Sequence, residues 1–161
     1  MIQNISRMLV LLLCLLPVAA VQAFAQQGSG LADSLSPRIL FLTSGGYWEK
    51  APESGAGDET QRGYYRLVAI RGEDNRSLLQ LQEIALTSGG PELASSTGVD
   101  QINELGGYIT DIRPEDSTGA STQQGFGAYI YLKTDPSVVE PETWVLYIDE
   151  FGEMLVERSS N

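Results

Sequence analysis

The residues whose types and spacing come closest to chemistry are three groups of carboxylates: Glu73-Asp74-Asn75, Asp111 with Glu115-Asp116, and Asp149-Glu150 with Glu153. Oxygens gathered in a short turn suit Ca²⁺, which takes about six to eight of them. None of the groups has the spacing of an EF-hand loop or a nonapeptide repeat, and Arg113 neutralises the second. They read as solvated turn carboxylates, and no metal site is expected. Two carboxylates about 5–10 Å apart could also cleave a glycosidic bond. With 21 acidic residues in the chain, spacing alone selects no pair.

Other chemistries lack their residues. The chain has no histidine and one cysteine, Cys14. The commonest general base is therefore missing, together with Ser-His and Cys-His nucleophile pairs and the usual zinc and copper ligand sets. Lys50 and Lys133 are the only lysines, and neither stands in a Ser-x-x-Lys spacing. Gly45-Gly46, Gly89-Gly90 and Gly106-Gly107 have neither the spacing of a phosphate loop nor a following helix. The sequence thus predicts no catalytic residue and no cofactor. A hydrolase working through two carboxylates is the one catalytic alternative it leaves.

The aromatic residues carry more information. Along 126–133, Phe126, Ala128, Ile130 and Leu132 alternate with Tyr129 and Tyr131. Side chains on a strand alternate between its two faces, so this segment has an oily side and a phenolic side. Tyr147 and Leu155 align with the phenolic side. An exposed aromatic patch of this kind marks a surface for a partner, so Tyr129, Tyr131, Tyr147 and Leu155 are the predicted contacts. The competing explanation is a second layer covering the phenols, or phenols that serve only cross-strand packing. Trp48, beside a Gly- and acid-rich loop over 49–61, is a further candidate contact. Trp144 opposite Arg158 suggests a cation–π pair that pins register.

The elements that must position these residues are strands. Trp144 to Asp149 and Glu153 to Arg158 read as a hairpin closed by Glu150-Phe151-Gly152, a three-residue loop with glycine last. That register pairs Ile148 with Met154, Leu146 with Val156, Trp144 with Arg158, Tyr147 with Leu155 and Val145 with Glu157. A slip of one residue would mix the two faces. Upstream, Arg38 to Leu42 reads as a strand ended by Thr43-Ser44-Gly45-Gly46. Arg62 to Arg71 and Leu78 to Leu86 form a second hairpin around Gly72-Glu73-Asp74-Asn75, with Leu79, Leu81 and Ala85 on its core face. Glu92 to Ser95 and Gly107 to Arg113 are further strands. Val99, Ile102 and Leu105, every third residue, allow a single helical turn near 98–105. Pro136 and Pro141 fix a long loop over 134–143. The prediction is an all-β fold: one antiparallel β-sandwich or small barrel of about 7–8 strands, with at most one short helix.

The N-terminus reads as an export address. Arg7, the apolar run from Met8 to Ala20, and Ala23-Phe24-Ala25 have the form of a signal peptide cleaved after residue 25. Residues 26–37 read as a flexible arm and 38–161 as a single β-domain. Cleavage leaves 136 residues with 9 basic and 21 acidic side chains, a net charge of −12. That field repels phosphate backbones, so no nucleic-acid partner is expected, and no second apolar segment predicts membrane insertion. A small exported domain that loses its only cysteine with the signal suits a bacterial periplasm or the medium. Gly45-Gly46-Tyr47-Trp48 is similar to the Gly-x-Trp that opens lipocalins. Their disulfide cysteines are absent here, and no function is carried over. The sequence reading is a non-enzymatic exported domain that binds a protein or envelope component through an aromatic sheet face. A closed barrel carrying a small ligand in a cavity lined by Phe126, Ile130, Leu146 and Ile148 is the alternative.

Overall fold

The structure, a computed structural model, describes residues 30–51, 60–115 and 123–159. The expected signal peptide lies outside them. The chain divides after Pro37 into two units. In the first, residues 30–33 of the expected arm form one helical turn, and the Ser34 amide donates to the Gly30 carbonyl at 3.2 Å.

The second unit, from Arg38 onward, is a sandwich of two four-stranded antiparallel sheets with strand orders β1-β2-β3-β4 and β5-β6-β7-β8. The strands are β1 (Ile39–Lys50), β2 (Gln61–Arg71), β3 (Ser77–Thr87), β4 (Gly90–Gly98), β5 (Tyr108–Pro114), β6 (Phe126–Lys133), β7 (Glu142–Ile148) and β8 (Met154–Arg158). Each sheet is a meander of sequential neighbours, and three of the six pairings, β2–β3, β3–β4 and β7–β8, are closed by turns of five residues or fewer. One short helix, Asp100–Asn103, carries the chain from the first sheet to the second.

Alternation generates the core. Tyr65, Leu67, Ala69 and Leu79 of the first sheet meet Ile112, Phe126, Ala128, Ile130, Leu132, Leu146 and Ile148 of the second in one cluster. The rings of Tyr65 and Phe126 stack across the gap, with centroids 6.0 Å apart. Phe126, Ile130, Leu146 and Ile148, the expected lining of a barrel cavity, are all 4% exposed or less and belong to this packed cluster.

The crossover closes one end. Val99 and Ile102 are buried against the cluster. The Asn103 side chain accepts from the Leu79 amide at 2.7 Å and donates to the Leu79 carbonyl at 3.1 Å, standing in for a strand neighbour. Ser77, the one buried polar residue among those described, takes the Ile109 amide on its hydroxyl at 2.9 Å. These polar groups at the crossover are thereby paired, whereas the Trp144 ring N–H is buried without a hydrogen-bond partner among the described residues.

Three details depart from expectation. First, β1 does not stop at Thr43–Gly46. It runs on to Lys50 through an irregularity between Gly45 and Trp48. Gly46 adopts φ +66°, and a Cβ there would collide with the Gly125 carbonyl oxygen, so only glycine fits. The strand can then pair Tyr47 with Gly125, the residue before β6, through bonds of 3.0 and 2.8 Å. The two glycines therefore make a bulge where a turn was predicted. Second, Ile84 is buried at 3% although it lies on the side of β3 opposite Leu79, in a row with Tyr64 and Leu93. Third, Arg158 sits opposite Trp144 as predicted but turns to Glu142 at 3.1 Å. The cation–π contacts form instead between Lys50 and Trp48 and between Arg113 and Tyr131.

Candidate partner-binding face

The register of the second sheet decides which side chains share its outer face. Tyr147 stands between Gly127 and Leu155, Val145 between Tyr129 and Glu157, and Tyr131 between Asp111 and Thr143. The five pairs of the β7–β8 hairpin are those the sequence predicts. Gly152 closes the loop at φ +82°, a conformation costly for any residue with a Cβ. Asp149 fastens the same turn, its Oδ1 accepting the amides of Phe151 and Glu153, both at 2.9 Å.

Of the five predicted contact residues, four lie together on this face. Tyr147 is 47% and Leu155 53% exposed; Tyr129 and Tyr131 are half-buried. Their strand neighbours Ile130 and Leu146 are fully buried, so parity alone separates core from surface. Trp48 is not part of the face. It is 3% exposed in the core, donates its ring N–H to the Tyr64 carbonyl at 3.1 Å, and lies over Gly63. The bulge at Gly46 turns its side chain inward.

The face is polar at its β5 edge. Arg113 lies over the Tyr131 ring at 5.1 Å, and its Nε donates to Asp111 Oδ2 at 2.7 Å. That hydrogen bond and the Asp111 charge raise the pKa of the Arg113 guanidinium above its ordinary value. The Tyr129 hydroxyl donates to Glu115 Oε1 at 3.3 Å. Glu115 lies across Gly127, where any Cβ would strike its carboxylate. At the other end two open grooves meet at Tyr147. One is lined by Glu115, Gln124, Gly125 and Gly127, the other by Gln123, Asp149, Glu150 and Phe151.

At least one carboxylate in each group singled out by spacing is engaged locally. Asp74 accepts the Arg76 amide at 3.1 Å, Asp111 takes the Ile112 amide at 2.9 Å as well as Arg113, and Asp149 holds its own turn. Asp116 lies outside the described residues. Among the described residues, no three His, Cys, Asp or Glu side chains are grouped to hold a metal ion. Among them, too, no helix is long and apolar enough to cross a membrane.

Sequence reasoning missed Glu115, Gln123, Gln124 and Phe151 as neighbours of Tyr147. Phe151, 81% exposed, was legible: an aromatic in the middle of a three-residue hairpin loop has no layer to enter. The placing of Glu115 over Gly127 depends on the β5–β6 pairing and left no local signal. No family model matches the chain, and no curated protein or solved structure matches it either.

Proposed function

We propose that this chain is an exported, non-enzymatic β-domain that binds a protein or envelope component through the outer face of its second sheet. The observation that carries the reading is Tyr147 with Leu155. They form a cross-strand pair, each about half exposed, continuous through Val145 with the half-buried Tyr129 and Tyr131. Large rigid side chains held on a sheet are cheap to desolvate and lose little entropy when a partner covers them. Export to the periplasm or medium rests on the form of residues 1–25, and the non-enzymatic reading on the missing histidine and the locally engaged carboxylates.

The test is Tyr147→Ala against Tyr147→Phe in affinity capture from the cell envelope, after fractionation has located the protein. An exposed cross-strand pair contributes about 0.5 kcal/mol to stability, so the alanine variant remains folded. A central aromatic contact contributes about 2 kcal/mol to binding. Capture should therefore fall roughly thirtyfold with alanine and persist with phenylalanine. Equal capture by both variants refutes the reading.

A further inference from the structure

The two ends of the outer face repeat one arrangement with one member missing. At the β5 edge, Tyr131 has a carboxylate, Asp111, as its cross-strand neighbour, and Arg113 fills the space over the ring at 5.1 Å while bonding that carboxylate at 2.7 Å. At the hairpin end, the cross-strand neighbour of Tyr147 is Gly127, and the Glu115 carboxylate occupies the place its side chain would take. Asp149 and Glu150 line the second groove that Tyr147 shares, with Phe151. Neither groove has a lysine or arginine in its lining among the described residues. Ring and carboxylates are in place, and the guanidinium is not.

From this we infer that the Tyr147 end of the face takes an arginine or lysine side chain of a basic polypeptide. The inference deepens the proposed function, on which it rests, by naming the chemistry of the partner. A cation over a phenol ring is attracted to its π face, and a carboxylate beside the ring adds a charge-assisted bond. The surrounding charge has the same sign: the chain carries −11, so a basic partner is drawn in. A second copy of this chain is repelled by that field. The apolar strip of Val145 and Leu155 beside Tyr147 accommodates the residues flanking the cation. A polypeptide can supply both at once.

The probe is a short capped peptide alternating arginine with valine, titrated calorimetrically into the purified protein. Its control is the same peptide with citrulline, a neutral isostere, replacing arginine. The arginine peptide should bind, and the citrulline peptide about tenfold more weakly or not at all. Tyr147→Ala and the double variant Glu115→Gln with Glu150→Gln should each lose about tenfold, and Tyr147→Phe should lose little. Glu92→Gln with Glu104→Gln removes the same charge elsewhere and should leave affinity unchanged. Amide shifts on binding should centre on Gln124, Tyr147 and Phe151.

Equal binding of the two peptides, no binding of either, or an equal loss from the remote double variant overturns the inference. If the arginine peptide fails while Tyr147→Ala still abolishes envelope capture, only the cationic chemistry falls. If Tyr147→Ala leaves envelope capture intact, the docking face itself falls.

Discussion

Tyr65 offers a test of the core that needs no partner. Its ring stacks on Phe126 and the residue is 3% exposed. Burial pushes its phenol up from the ordinary value of 10.0 to about 12, and the charges of Glu83 and Asp149 act in the same direction. In the unfolded chain the phenol titrates near 10. Between that value and about 12 the unfolded chain has shed the proton that the folded chain keeps, so the folded state binds more protons. Stability then falls as pH rises, by up to about 1.4 kcal/mol per pH unit. The contribution is fully present below the unfolded value and is lost as pH passes through the folded one. Across the window this amounts to about 2 kcal/mol. Tyr65→Phe retains the stacked ring and removes the titration. Urea unfolding of both proteins at fixed temperature, from pH 9 to 12, isolates the difference, because the remaining six tyrosines are common to both. That includes Tyr47, whose hydroxyl is also pushed up, chiefly by its hydrogen bond to Glu49. Relative to the phenylalanine variant, the wild type should lose about 2 kcal/mol over the window. Ultraviolet titration should show a phenol ionising late in the wild type that is missing from the variant. Parallel stability curves, or ultraviolet titrations in which Tyr65→Phe removes no late-ionising phenol, would overturn this account of its burial.

Gly152→Ala isolates backbone strain: its φ is +82° and no heavy atom stands within 4 Å of the added methyl, so it should cost about 1 kcal/mol in denaturant unfolding. Gly63→Ala isolates collision, since its methyl would strike the Ile84 carbonyl and lie 2.7 Å from the Trp48 ring; a loss of about 3 kcal/mol or more is expected, and equal losses for the two would contradict the distinction. Asp149→Ala should cost about 2 kcal/mol and speed hydrogen exchange at Phe151 and Glu153, whereas Asp149→Asn, which retains the acceptor, should cost less; equal losses would mean the turn does not depend on that oxygen.

Strand parity explains why the C-terminal half was legible. The pairs from Trp144–Arg158 to Ile148–Met154 follow from alternation and the position of Gly152, both of which are local. The helix was legible for the same reason, as Val99 and Ile102 are spaced to bury one side of a turn. Long-range events were not. The Gly45-Gly46 pair has turn composition, yet the strand continues through a bulge because Tyr47 finds Gly125, some eighty residues away, to pair with. Trp48 followed that bulge into the core, which removed it from the surface residues. Ile84 was hidden by Gln80 and Gln82 on the same side of β3, which made that side read as solvent-facing.

The choice of the second sheet over the first as the docking face turns on continuity. The outer side of the first sheet also exposes large side chains, Leu42, Leu78, Leu86 and Leu93. A polar row divides them: Arg66 donates to Gln82 at 2.8 Å, Gln82 to Ser96 at 3.4 Å, and Ser96 to Gln80 at 3.2 Å. Leu42, beside Val68, falls on one side of that row, and Leu93, beside Ile84, on the other. A partner covering both leucine groups would have to desolvate a side-chain network already satisfied within the sheet, and imperfect pairing there carries a penalty. On the second sheet Tyr129–Val145 and Tyr147–Leu155 are adjacent rows, and the one side-chain hydrogen bond between them among the described residues, from Tyr129 to Glu115, lies at their β5 end. Its polar groups stand at the two margins, Arg113 with Asp111 and Glu115 with Tyr129 along β5 and Glu157 on β8. A contiguous apolar centre with charge at its rim is the distribution that lets burial contribute to binding.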